Sequence, residues 1–122
     1  MINTQKIGYL NEMRFFKYCI EKDIPITLPI HHAFPFDCVI KIDNKWKAVQ
    51  IKTIQLHKRK GRYFIELRRT VANKHKQYAP NSFDLVCASG EIGMWLIPIN
   101  KLTHIKNNVT ITKDELKKYK LY

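Results

Sequence analysis

The sequence predicts an α/β or α+β domain whose mixed sheet carries an N-terminal helix on one face. Three observations predict it. The chain starts with a helix-period segment, continues through several short β-branched runs separated by turn signals, and finishes with short helical segments. With 122 residues it has room for one domain, 1–122, with one modest core. Hydrophobic residues make up 45% and charged residues 26%, as in a globular protein, which argues against disorder throughout.

The elements follow in order. Gln5 to Lys22 predicts a helix: Leu10, Met13, Phe16 and Ile20 recur at about 3.6 residues, with Lys and Arg between them, and Thr4 can cap its start. Pro25 and Pro29 bracket a short extended piece, Ile26 to Ile30. Phe36 to Ile42 and Trp46 to Thr53 are strand-like, and Asp43-Asn44-Lys45 between them is turn chemistry, so the two form a hairpin. A basic turn, His57 to Gly61, leads to a third strand, Arg62 to Arg68. Residues 70–82 are polar and predict a loop. Phe83 to Ala88 and Met94 to Ile97 predict two more strands around Ser89-Gly90. Pro98 to His104 can open a short helix, and Thr112 to Lys120 forms a last one with Thr112 as its cap.

Charge is the unusual part of the composition. Lys and Arg number 22 against 10 Asp and Glu, a net +12, which favours a polyanionic partner. No apolar run approaches a membrane span, and the first residues lack the apolar stretch of a signal peptide. Cys19, Cys38 and Cys87 are odd in number and widely spaced. That excludes a CxxC zinc ribbon and a disulfide framework, and suits the reducing cytoplasm. No GxGxxG or GxxxxGK[ST] loop occurs, so a nucleotide-binding loop is not expected.

Strand alternation brings the candidate chemistry together. Asp37, Val39 and Lys41 share one face of the first hairpin strand, and Ala48, Gln50 and Lys52 share one face of the second. Taken alone, Gln50-x-Lys52 is the ordinary solvent face of a strand. Here it lies among Ala48, Val49 and Ile51, on a strand apolar enough to be central, where lysine and glutamine need partners. A carboxylate, an amide and an ammonium converging over a sheet suit phosphodiester cleavage. The carboxylate holds a hard cation, and the ammonium orients water or offsets transition-state charge.

Gly8-x-x-x-Glu12, Phe36-Asp37 and Val49-Gln50-Ile51-Lys52-Thr53 together resemble the PD-(D/E)XK nuclease superfamily. The nearest look is to its group I intron-encoded homing endonuclease branch, in which Q-x-K replaces (D/E)-x-K. The resemblance spans residues 6–100. It implies a restriction-endonuclease-like central mixed sheet flanked by helices, and metal-dependent cleavage of double-stranded DNA. It further implies Asp37 as central metal ligand, Lys52 as catalytic lysine, Gln50 in the second acidic position and Glu12 as the helix-borne acid. Mg²⁺, with Mn²⁺ as a substitute, would sit on Asp37, the Ile51 carbonyl and Glu12 or Gln50. Two departures stand out: Gln50 is neutral, and Phe36 rather than Pro precedes Asp37. Alternatives are a Holliday junction resolvase or restriction endonuclease of the same fold, and a non-catalytic DNA-binding domain.

Between His57 and Lys76, eight cations face Glu66 alone. Lys58, Arg59, Lys60, Arg62, Arg68, Arg69, Lys74 and Lys76 are interleaved with Tyr63, Phe64 and Tyr78, which suits a DNA-binding ribbon rather than a merely solvated face. Lys58, Lys60, Lys74 and Lys76 are expected on phosphates, and the arginines are candidates for guanine edges. One active site cuts one strand, so duplex cleavage implies a homodimer or higher oligomer. His31 and His32, adjacent on an extended segment, point to opposite faces and suit surface or packing roles better than joint metal ligation. Trp46 and Trp95 are expected to pack in the core or at a sheet edge.

Overall fold

The computed structural model describes residues 4–31, 33–57, 62–66, 69–71, 74–76, 82–101, 108–111 and 113–121. Helix α1 (Thr4–Glu21) is followed by β1 (Ile26–Thr27), β2 (Cys38–Ile42) and β3 (Lys45–His57). Then come β4 (Arg62–Glu66), β5 (Arg69–Val71), β6 (Lys74–Lys76), β7 (Leu85–Gly90) and β8 (Gly93–Pro98). A 3-10 turn at Ile99–Lys101, strand β9 (Asn108–Ile111), helix α2 (Lys113–Leu116) and a second 3-10 turn at Lys117–Tyr119 complete the order.

Strand β3 is the spine. It runs 13 residues without Gly or Pro and changes neighbour along its length. Residues 45–49 pair antiparallel with β2, 49–53 parallel with β7, and 54–57 antiparallel with β4. The result is a seven-stranded mixed sheet, with β1 beside β2, β8 beside β7 and β9 beside β4. Asp43 and Asn44 adopt positive φ, 52° and 64°, in the two-residue turn joining β2 to β3. That is the conformation a tight hairpin demands and that Asp and Asn tolerate. Asp84 fastens the start of the parallel pairing: its N–H donates to the Ala48 carbonyl at 2.9 Å, and its Oδ2 accepts the Ala48 N–H at 2.8 Å.

Both faces of the sheet are packed. On one, Phe15 and Cys19 of α1 cover Cys38, Ile40, Val49, Ile51, Leu85 and Cys87. On the other, Ile54, Ile65, Val86, Ala88, Trp95 and Ile97 pack with Phe83 and Leu116. All three cysteines are free and buried, and burial pushes the Cys19 thiol up to about 11.

Several sequence expectations are corrected. The α1 stripe that meets the sheet is Asn11, Phe15 and Cys19, while Leu10, Met13 and Ile20 are exposed. Apolar residues occur on two sides of this helix, so its periodicity did not single out the buried one. Asp37 precedes β2 rather than lying within it. The β7–β8 turn falls at Glu91-Ile92, two residues later than Ser89-Gly90. Part of the expected 70–82 loop forms the β5–β6 hairpin, and β9 arises where no strand was expected. Trp95 is a core residue, whereas Trp46 is 52% exposed, with Lys41 Nζ 5.9 Å from its ring centroid.

Candidate metal centre at the edge of β3

Asp37 and Gln50 face each other across the hairpin. Cys38 pairs with Val49, so continuing the register by one residue sets Asp37 opposite Gln50. The Asp37 N–H donates to the Val49 carbonyl at 2.8 Å, which holds the residue against β3 although β2 has not begun. Its Oδ2 accepts two hydrogen bonds, from the Ile51 N–H at 2.7 Å and from Gln50 Nε2 at 3.0 Å. Both of these hydrogen bonds fall on the same carboxylate oxygen.

The Ile51 carbonyl belongs to the same site. In an extended strand the N–H and C=O of one residue point to the same edge. The Ile51 N–H reaches Asp37, so the Ile51 carbonyl faces that edge too, and Gln50 Nε2 lies 3.5 Å from it. The Gln50 amide, nine-tenths buried, therefore places its NH₂ between two oxygen acceptors. That is where an oxygen-seeking cation would bind. Amide nitrogen and oxygen exchange by rotation about the last side-chain torsion, so turning the group would offer a third oxygen to the same point.

Electrostatics fits this arrangement. Burial raises the Asp37 pKa, while the Ile51 N–H and the Lys52 ammonium act against the shift. Lys52 follows Ile51 on β3, half-buried and close enough to act on the carboxylate. Glu12 is half-buried on α1, the helix that covers Val49 and Ile51 and hence the face opposite Gln50 and Lys52. It is near enough to Cys38 to help raise that thiol to about 12, after burial, Cys19 and Asp37. Glu12 and Asp37 thus flank the root of β2 from different elements. Among the described residues no three His, Cys, Asp or Glu side chains gather as a metal cluster. Any ion here would depend on the Asp37 carboxylate, backbone and amide oxygens and its substrate. The donors are all oxygen, which fits Mg²⁺ or Mn²⁺ and not a thiolate-seeking metal.

The candidate DNA-contacting residues are only partly placed. Arg62 lies in β4, Arg69 in β5, and Lys74 and Lys76 in β6, with Arg69 the register partner of Lys76. Lys58, Arg59, Lys60 and Arg68 lie outside the described residues.

Sequence reasoning missed a buried network beside this edge. Asn11, 1% exposed, donates from Nδ2 to Thr53 Oγ1 at 2.9 Å, and its Oδ1 accepts from Arg14 Nη1. Its carbonyl accepts the Ser89 hydroxyl at 2.9 Å. Asn11 precedes Glu12, and Thr53 follows Lys52, so the network fixes the helix against the strand next to both candidate residues. The signal was available as the i, i+4, i+8 spacing of Asn11, Phe15 and Cys19.

No protein of curated function matches the chain by sequence. Among solved structures, a bacterial homing endonuclease superposes with a TM-score of 0.80 over 98% of this chain and 89% of its own, at 17% identity. That likeness establishes a restriction-endonuclease-like fold, as the resemblance implied. A family model described as PD-(D/E)XK endonuclease matches residues 2–120. The likeness carried in sequence by a few short motifs thus extends over nearly the whole length, and the chain belongs to the PD-(D/E)XK endonuclease family.

Proposed function

We propose that this endonuclease hydrolyses phosphodiester bonds of double-stranded DNA with a divalent cation, Mg²⁺ or Mn²⁺, at the Asp37 edge of β3. One observation carries the reading: the Asp37 carboxylate and the Ile51 carbonyl face one edge of one strand, with Lys52 within electrostatic reach. Asp37 and the Ile51 carbonyl would hold the ion, with Gln50 turned to present its amide oxygen and Glu12 approaching from α1. When bound, the cation supplies Lewis acidity toward the phosphoryl group and toward water. The Lys52 ammonium orients the attacking water and offsets negative charge as it develops on the phosphoryl oxygens. The Asn11–Thr53 bond keeps the helix and strand in register while DNA docks. The excess of cations draws the duplex in, with Arg62, Arg69, Lys74 and Lys76 contributing from β4 to β6. One site cuts one strand, so the working unit on duplex DNA is a homodimer or higher oligomer.

Cleavage of supercoiled plasmid tests this directly. Nicked and linear products are expected with Mg²⁺ or Mn²⁺ and none with chelator. Asp37→Ala and Lys52→Ala should each slow cutting by at least about 100-fold while leaving DNA binding intact. Binding without cleavage in any divalent ion would instead mark a non-catalytic DNA-binding domain, and a branched junction cut in preference to plasmid would mark a resolvase.

A further inference from the structure

The packed face beneath α1 contains a polar junction. Two hydroxyls from neighbouring strands hold the buried Asn11. Its Nδ2 donates to Thr53 Oγ1 of β3, and its backbone carbonyl accepts from Ser89 Oγ of β7, each at 2.9 Å. Thr53 and Ser89 are register partners across the parallel β3–β7 pairing, so the two hydroxyls stand side by side on the face that α1 covers. The amide has one orientation. Arg14 Nη1 can only donate, so it takes Asn11 Oδ1 and leaves the NH₂ to Thr53. Phe15 and Cys19, one and two turns further on, meet the sheet by apolar contact, which is non-directional. Hydrogen bonds to two fixed hydroxyls are directional, so they set the rotation and height of the helix. Residues next to each other on a helix are about 100° apart around its axis. With Asn11 turned to β3 and β7, Glu12 faces elsewhere, near enough to Cys38 of β2 to act on its thiol. Cys38 directly follows Asp37, so the seating of α1 decides how closely the Glu12 carboxylate approaches the Asp37 edge.

We infer that Asn11, Thr53 and Ser89 are positioning residues that act through Glu12: by seating α1 on two neighbouring strands, they set the reach of the Glu12 carboxylate toward a divalent ion at Asp37. The inference rests on the metal reading above and names what holds its second carboxylate in place. Strand β3 makes that carboxylate matter. It carries no Asp or Glu of its own, and Gln50 is neutral, so a second negative ligand has to come from another element. Helix α1 supplies it in Glu12, one residue from the junction. An apolar side chain of similar size could fill the place of Asn11 without needing partners. A polar residue with three partners there adds direction rather than adhesion. Groups that orient a metal ligand commonly govern ion affinity by roughly 10- to 100-fold although they never touch the ion.

The test is Mn²⁺ binding without DNA, read from the paramagnetic resonance signal of the free ion. It compares the parent, Thr53→Val, Thr53→Ser, Ser89→Ala, Glu12→Gln and the Glu12→Gln/Thr53→Val double variant. Thr53→Val keeps the shape and removes the acceptor, so Mn²⁺ should bind about tenfold more weakly. Glu12→Gln should weaken binding to a similar degree, about tenfold, because an amide replaces the carboxylate. Thr53→Ser retains the hydroxyl and should recover most of the affinity, while Ser89→Ala should act in the direction of Thr53→Val. The double variant should bind within about twofold of Glu12→Gln alone, because no carboxylate is left to position. Thermal melts in chelator supply the contrast. Thr53→Val should lower the melting temperature equally with and without Glu12, since the lost hydrogen bond is the same in both. Parental Mn²⁺ affinity in Thr53→Val overturns the positioning role and leaves a merely structural one. So do losses that add in the double variant, or a Glu12→Gln that binds Mn²⁺ like the parent. A parent that binds no Mn²⁺ defeats the metal reading, and this inference with it. A parent that binds and a Thr53→Val that binds equally well defeat the positioning role alone.

Discussion

Asp37 accepts two hydrogen bonds and lies near an ammonium, yet its pKa is raised, because burial outweighs both favourable influences. The consequence for stability has a definite sign. A carboxyl whose folded pKa exceeds its unfolded value favours folding fully below the unfolded pKa and loses that contribution as pH rises through the folded pKa. Ionised Asp37 is therefore a cost to the metal-free protein at neutral pH. Asp37→Asn, whose amide oxygen can still accept from Ile51 and Gln50, should melt higher than the parent at pH 7. The gap should close as pH falls toward 4, as followed by thermal melts in chelator. The same variant should not cut DNA, a separation of stability from function common at active sites. Gln50 presents the complementary case. Its NH₂ bridges the two oxygens that a cation would use, so it competes with an ion for both. Gln50→Glu should raise Mg²⁺ affinity about tenfold in calorimetric titration, since carboxylate ligates a hard cation more strongly than amide. Without metal it should lower the melting temperature, because two carboxylates would then share one edge.

Glycines test the elements. A Cβ at Gly90 would lie 2.8 Å from the backbone oxygen of Ile54, so β7 approaches β3 there more closely than any side chain permits. At Gly8, in the first turns of α1, nothing lies within 4 Å. Gly90→Ala should destabilise by about 1–3 kcal/mol, and Gly8→Ala should stabilise by up to about 1 kcal/mol, both read from denaturant unfolding. The β2–β3 hairpin was legible in sequence because its signals are local: Asp43-Asn44 for the turn and alternation on either side. Asp37, Gln50 and Lys52 could be named as a group for that reason. The parts that were not legible depend on distant partners. Ser89-Gly90 resembles a turn, but Ser89 is tied to Asn11 and Gly90 is pressed on Ile54, so both remain in strand. Strand β9 differs: Val109-Thr110-Ile111 is a β-branched run that favours a strand, but too short to be read as one without the edge that β4 offers it. The buried face of α1 was decided by the fit of Phe15 and Cys19 to the sheet and by Thr53 accepting Asn11, while the more apolar Leu10, Met13 and Ile20 stayed outside.

For the whole molecule, charge and fold divide the work. In the proposed reading the net +12 would draw a duplex to the surface but would select no phosphate on it. The mixed sheet would supply the selection. Strand β3 exchanges β2 for β4 as its partner along its length, and just before β2 begins the Ile51 N–H and carbonyl are left to Asp37 and Gln50. We propose that a divalent ion is held at this released edge. An anomalous-scattering map from crystals grown with Mn²⁺ and uncleaved DNA tests it most directly. A peak is expected within ligand distance of the Asp37 carboxylate and the Ile51 carbonyl, with the Gln50 amide turned from its metal-free orientation. A peak elsewhere on the chain, or none beside Asp37 while DNA is bound, would contradict it.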